Sequence, residues 1–94
     1  MAVRLNISEL DLRADPDGLI VGRSAKKARL ILKDDSVSRA HARIALGDRL
    51  TMEDLNSSNG TRVNGRTLAV GEKAQIEQGV AIEIGAVRLT LTRS

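Results

Sequence analysis

The sequence predicts an all-β sandwich, and three observations carry that prediction. Three segments alternate apolar and polar residues with a period of two, turn signals recur at short intervals, and no window of a dozen residues keeps a 3.6-residue repeat free of glycine. Many short strands with frequent punctuation fit an antiparallel sandwich or barrel.

In chain order, VRLNIS puts Val3, Leu5 and Ile7 on one face and Arg4, Asn6 and Ser8 on the other. GLIVGR, RLILKD, HARIAL and LTMEDL follow as shorter strand candidates. TRV and RTL then flank Asn64-Gly65, the two-residue spacing that favours a type I′ hairpin because both turn positions need positive φ. VAIEIG directs Val80, Ile82 and Ile84 inward, and VRLTLT does the same with Val87, Leu89 and Leu91. The turn signals between them are ADPDG, GRS, DDS, LGD, the two Asn-Gly pairs, VGE, EQG and IGA.

The chain has 94 residues, enough for one compact core and too few for two. There is no repeat of 20 to 50 residues, no low-complexity tract and no linker, so one domain is expected over 1–94, either free-standing or excised from a longer protein. Hydrophobic residues at 41% and charged residues at 29% argue against disorder. With no Phe, Tyr or Trp, the core must be aliphatic, and no platform exists for stacking nucleic-acid bases. No cysteine and one histidine leave little from which to build a metal site, so neither metal nor cofactor is expected. No apolar run is long enough to span a bilayer, and the N-terminus lacks the continuous apolar stretch of a signal peptide. A soluble, monomeric, cytoplasmic domain is the expectation.

The net charge of +3 is unevenly spread. Between Gly22 and Arg43, seven basic residues (Arg23, Lys26, Lys27, Arg29, Lys33, Arg39, Arg43) stand against Asp34 and Asp35, giving +5 there and −2 over the remainder. Such a run is commonly a solvated face of long side chains, but it also suits an anionic ligand.

Three short pieces in this region and beyond it combine Arg, Ser, His and Asn beside strands: GRS at 22–24, SVSRAHARI at 36–44 and NSSNGT at 56–61. Each is weak alone. Their order and spacing together resemble the forkhead-associated (FHA) domain, through Gly22-Arg23, Ser38 to His41, Asn59-Gly60 and Val63-Asn64-Gly65. The resemblance runs over nearly the whole chain. It implies a β-sandwich of about eleven short, mostly antiparallel strands, with loops at one end binding a phosphothreonine peptide.

Carried over by position, Arg23 and Ser38 resemble phosphate contacts, with Arg39 and Ser58 as further ones. Asn59 resembles the residue that holds the peptide main chain. Gly22, His41 and Gly60 match architectural positions, with His41 supporting the loop that carries Ser38, and Asn64 and Gly65 join them as structural support. The partner implied is a phosphothreonine-containing protein, or a segment of the same host chain, in a Ser/Thr-kinase pathway.

The residue types suit that chemistry independently. A phosphomonoester carries about −1.5 to −2 charge and three acceptor oxygens at neutral pH, and so requires donors. Arg supplies a planar fork, and hydroxyls and loop N–H groups complete the shell. Asn offers both donor and acceptor and can pair with any peptide backbone. Lys26 and Lys27 are expected to contribute only to the field, while Arg39, Arg62 and Arg66 are candidates to neighbour later peptide positions.

Three other functions compete. Ser38 with His41 could form a nucleophile and base, but no third group or G-x-S-x-G elbow accompanies them, so the chain is not expected to be an enzyme. Neither a P-loop nor a dinucleotide fingerprint is present. The pI of about 10 invites nucleic-acid binding, which the absence of aromatics and of a groove-entering helix opposes. The closest rival is an FHA fold that binds a partner through its sheet face without phosphate. Retention of Arg23, Ser38 and Asn59 opposes it.

Overall fold

The structure is a computed structural model that describes residues 2–7, 12–13 and 17–93, with residues 2–7 and 93 described by their backbone. Among these, ten strands form: β1 (Ala2–Ile7), β2 (Leu19–Gly22), β3 (Leu30–Ile31), β4 (Ala42–Leu46), β5 (Leu50–Asp54), β6 (Thr61–Val63), β7 (Arg66–Thr67), β8 (Lys73–Gln75), β9 (Ala81–Ile84) and β10 (Val87–Arg93). One sheet has the order β1-β10-β9-β6-β7 and the other β3-β2-β4-β5-β8. Pairing is antiparallel except for β1 with β10 and β2 with β3.

The two sheets enclose an aliphatic core. Alternation decides which residues enter it: Leu19, Val21, Ala42, Ile44, Leu50 and Met52 from one sheet meet Ile82, Ile84, Val87, Leu89 and Leu91 from the other, all buried. Each such Leu or Ile contributes about 1.5–3 kcal/mol by leaving water, so no aromatic residue is needed to close the interior.

The strand count is ten among the described residues, where about eleven were expected. RLILKD shrinks to the two residues of β3: Leu32 N–H makes a last bond to the Gly22 carbonyl of β2, and Asp34 N–H then turns back to the Leu32 carbonyl. β8 has no forecast. Its KAQ core carries a single apolar residue, Ala74, too short an alternation to register. Val80 is only half-buried, unlike Ile82 and Ile84. The inward faces proposed for Val3, Leu5 and Ile7, and residues 14–16 of the ADPDG turn, lie outside what is described.

The β6–β7 hairpin forms as the sequence predicts. Asn64 has φ +51° and Gly65 φ +82°, and Val63 pairs with Arg66 across them.

Candidate functional site

β2 ends where two backbone segments touch. Arg23 N–H donates to the Ser38 carbonyl at 3.0 Å and Ser24 N–H to the Arg39 carbonyl at 3.3 Å. A Cβ on Gly22 would stand 2.0 Å from the Arg39 carbonyl oxygen, so only glycine permits this approach. The Arg23 side chain then reaches along the loop, and its Nε donates to the Val37 carbonyl at 3.0 Å. Val37 is 1% exposed and anchors that carbonyl. Arg23 itself is exposed and, among the described residues, has no carboxylate partner, which leaves the terminal N–H groups of its fork available. Arg39 is also exposed without an ion pair among the described residues.

The loop before β4 is shaped by its own side chains. Asp34 Oδ1 accepts from Ser36 N–H at 2.9 Å and from Ser36 Oγ at 2.6 Å, an Asx-type turn. These bonds hold the Asp34 carboxyl below its ordinary range. Ser36 Oγ also accepts from Ala86 N–H at 2.8 Å, tying the loop to the β9–β10 turn. A Cβ on Gly85 would stand 2.4 Å from the Ser36 carbonyl oxygen, and the residue has φ +59°.

His41 is the hub. It is fully buried, and its main chain bonds to Val21 O and Leu55 N. Ser38 N–H donates to Nδ1 at 3.0 Å; because an N–H can only donate, Nδ1 carries a lone pair and Nε2 the proton. Nε2 therefore donates to the Gly60 carbonyl at 2.8 Å. Alternation with Ala42 and Ile44 pointed His41 away from the core or to the strand's lip. The structure places it at that lip: the residue immediately precedes β4, and its buried ring turns into the gap between the two loops. The link from Ser38 to the His41 ring runs through the backbone N–H, while the Ser38 hydroxyl accepts from Ser58 N–H.

The third loop, 55–60, rests on Asp54. Its carboxylate, 3% exposed, accepts from Ser57 Oγ, from Ser57 N–H at 3.2 Å and from Thr61 Oγ1 at 2.7 Å. Burial pushes this carboxyl up, but the bonds from Ser57 and Thr61, with His41 nearby, outweigh it and hold the group below the ordinary carboxylate range. Ser57 Oγ in turn accepts from Gly60 N–H at 3.0 Å, and Gly60 takes φ +87°.

These supports bring four residues to one rim. Ser58 N–H donates to Ser38 Oγ at 3.1 Å, and Asn59 Nδ2 donates to the Ser36 carbonyl at 2.8 Å. Arg23 joins through the backbone of Ser38. Asn59 and Ser58 are exposed, and the Asn59 carbonyl oxygen faces no partner among the described residues. Asp34 and Asp54 are turned to neighbouring hydroxyls and N–H groups, while Asp35, three residues before Ser38, is exposed.

Other candidates do not gather there. Asn64 and Gly65 sit in the hairpin at the far end of β6 from Gly60, so they support the sheet and not the rim. Arg62 pairs with Glu83 at 2.9 Å, and Arg66 with Glu72 at 2.6 Å, which occupies both guanidinium groups. Sequence reasoning missed Asp34, Ser36, Asp54, Ser57 and Gly85. Asp-x-Ser at 34–36 is a readable Asx-turn signal; the IGA signal marks Gly85 as a turn residue, but nothing local marks its contact with Ser36, 49 residues away.

Comparison with known proteins agrees with this architecture. The FHA domain family model matches residues 19–85. The FhaA FHA domain, solved in complex with the intracellular domain of Rv3910, is 36% identical with a TM-score of 0.64, over 74% of this chain and 75% of that one. The FHA domain of CT664 from Chlamydia trachomatis is 32% identical with a TM-score of 0.68, over 77% and 72%. Mycobacterium tuberculosis EmbR, solved with a low-affinity phosphopeptide, is 28% identical with a TM-score of 0.70, over 79% of this chain and 19% of that one. No curated protein sequence matches. A two-sheet sandwich with a loop rim of this kind has the architecture of a binding module. The chain belongs to the FHA domain family.

Proposed function

We propose that this domain binds phosphothreonine peptides. The observation that carries the proposal is the Ser38–Ser58 hydrogen bond, which joins two loops beside an arginine that has no carboxylate partner among the described residues. Arg23 and Ser38 would hold the phosphate, with Arg39 and Ser58 at its edge. A dianion needs several donors at once, and the Arg fork together with the Ser38 and Ser58 hydroxyls supplies them. Asn59 would take the peptide main chain with its carbonyl oxygen and its second amide hydrogen, since Ser36 occupies the first. Gly22, His41 and Gly60 shape the loops. The EmbR complex with a phosphopeptide and the phosphothreonine-dependent interactions studied in a 36% identical FHA structure support this function.

The wider role proposed with it is that of a single monomeric domain over 1–94, acting as a cytoplasmic adaptor that recruits its host to a Ser/Thr-kinase product, in a partner or in the host itself. Titrating a phosphothreonine peptide library against the wild type and Arg23→Ala tests it. Arg23→Ala should weaken phosphopeptide binding roughly 10- to 100-fold, because a charge-assisted contact is lost. Unfolding stability should change by less than about 1 kcal/mol, as expected for an exposed residue. Equal binding of unphosphorylated peptides, or equal binding by the variant, would overturn the proposal.

A further inference from the structure

A second cationic feature lies on the outer face of the β2–β4 pair. Leu19, Val21 and Ile44 point to the core, so their neighbours Ile20 and Arg43, which are register partners, point outward. The connection from β2 to β3 folds back over them: Lys27 and Ala28 donate N–H groups to the Ser24 carbonyl, and Arg29 N–H to Ile20 O at 2.9 Å. This leaves a cavity of about 310 Å³ lined by Asp17, Gly18, Ile20, Lys27, Arg29 and Arg43. Three cations face one carboxylate, a net +2.

The cations are under-used. Lys27 and Arg29 are exposed and have no ion pair among the described residues. Arg43 meets Glu53 only at 3.8 Å, beyond hydrogen-bonding distance, and its buried Nε has no acceptor among the described residues. Native proteins rarely leave such a donor unfilled.

We propose that this pocket is a docking site for an acidic peptide segment. The three cations come from separate points of the chain on long stems, an arrangement that suits several carboxylates spaced along a peptide better than one compact anion. Ile20 offers an apolar floor for the methylenes of Asp and Glu. Its volume is at the small end of ligand pockets, which start at about 300 Å³, and fits a few side chains.

The pocket is also within reach of the rim. Arg23 and Lys27 are four residues apart, so their Cα atoms lie at most about 14 Å from each other. A partner held by its phosphothreonine could therefore place acidic residues about four positions away into the pocket. That extension rests on the proposed function; docking of an acidic segment alone does not.

The test follows amide NMR shifts while an unphosphorylated peptide rich in Glu and Asp is titrated into the chain. Ile20, Lys27, Arg29 and Arg43 should shift, and binding should weaken as salt rises. Lys27→Gln combined with Arg29→Gln should weaken it about tenfold. Arg49→Gln combined with Arg88→Gln removes the same charge elsewhere and should change it less than about twofold. Equal loss in the two variants, no shift at these residues, or stronger perturbation by a nucleic-acid duplex or by inorganic phosphate overturns the proposal. In a second arm, an acidic extension should tighten a phosphothreonine peptide on the wild type and not on the Lys27, Arg29 variant. Pocket shifts without any phosphopeptide binding would sink the proposed function alone, and the converse result would sink the pocket alone.

Discussion

His41 Nε2 donates to the carbonyl of Gly60 across 19 residues of chain, while Nδ1 of the same ring accepts from the Ser38 N–H. One buried imidazole thus sets the distance between the loop that carries Ser38 and the loop that carries Asn59. Gly85 N–H reinforces the joint by donating to the same Gly60 carbonyl at 3.2 Å.

His41→Ala should accordingly cost stability and binding together. The change leaves a cavity and strips Ser38 N–H of its partner, for a loss of roughly 2–4 kcal/mol in urea unfolding. Phosphopeptide affinity should fall even under conditions where the variant is fully folded. A variant that unfolds more easily yet binds normally when folded would show that the ring is only filler.

Gly85→Ala should act on the rim from the opposite sheet. The added methyl meets the Ser36 carbonyl, which Asn59 uses as its anchor, and the residue keeps a positive φ that an L side chain resists. A loss of about 1–3 kcal/mol is expected, with Asn59 side-chain amide signals displaced in NMR spectra. Unchanged Asn59 signals would exclude this coupling.

The Asp54 carboxyl makes the third loop sensitive to acid. Its pKa in the folded chain lies below the unfolded value of about 4, so its stabilising contribution is present above that value and is lost as pH falls through the folded one. Stability measured against pH should decline below about pH 4, and Asp54→Asn should flatten part of that decline while lowering stability at neutral pH. A decline of the same steepness in the variant would assign the acid response to other carboxylates.

The two Asn-Gly pairs should separate cleanly. Asn64→Val places a β-branched residue at φ +51° and should destabilise by about 1–2 kcal/mol while leaving peptide affinity within about twofold. Asn59→Ala should do the reverse, with affinity lost and stability nearly kept, since its side chain is exposed. Equal effects of the two changes would mean that both pairs serve one purpose.

How much of this was legible varies with the range of the interaction. Alternation named Ile82, Ile84, Val87, Leu89 and Leu91 as core because each residue's face depends on its immediate neighbours. The Asn64-Gly65 turn was legible for the same reason, and β8 was not, because three residues with one small apolar side chain carry no pattern. The rim residues Arg23, Ser38 and Asn59 were legible only through a family resemblance. Alternation left His41 either opposite the core or at the lip of β4, and only its long-range partners Ser38 and Gly60 settle the lip and bury the ring there.

The sequence by itself determined the fold class, the aliphatic core and the hairpin, which follow from local periodicity and turn chemistry, and it named the candidate rim through its resemblance to a family. Only the tertiary structure decided which partners each rim residue has: Ser38 with Ser58, Asn59 with Ser36, His41 with Gly60, and Arg62 and Arg66 withdrawn into ion pairs. The reason is physical. These contacts join segments about 20 residues or more apart in most cases, and their geometry exists only once two sheets have packed and fixed where their loops emerge.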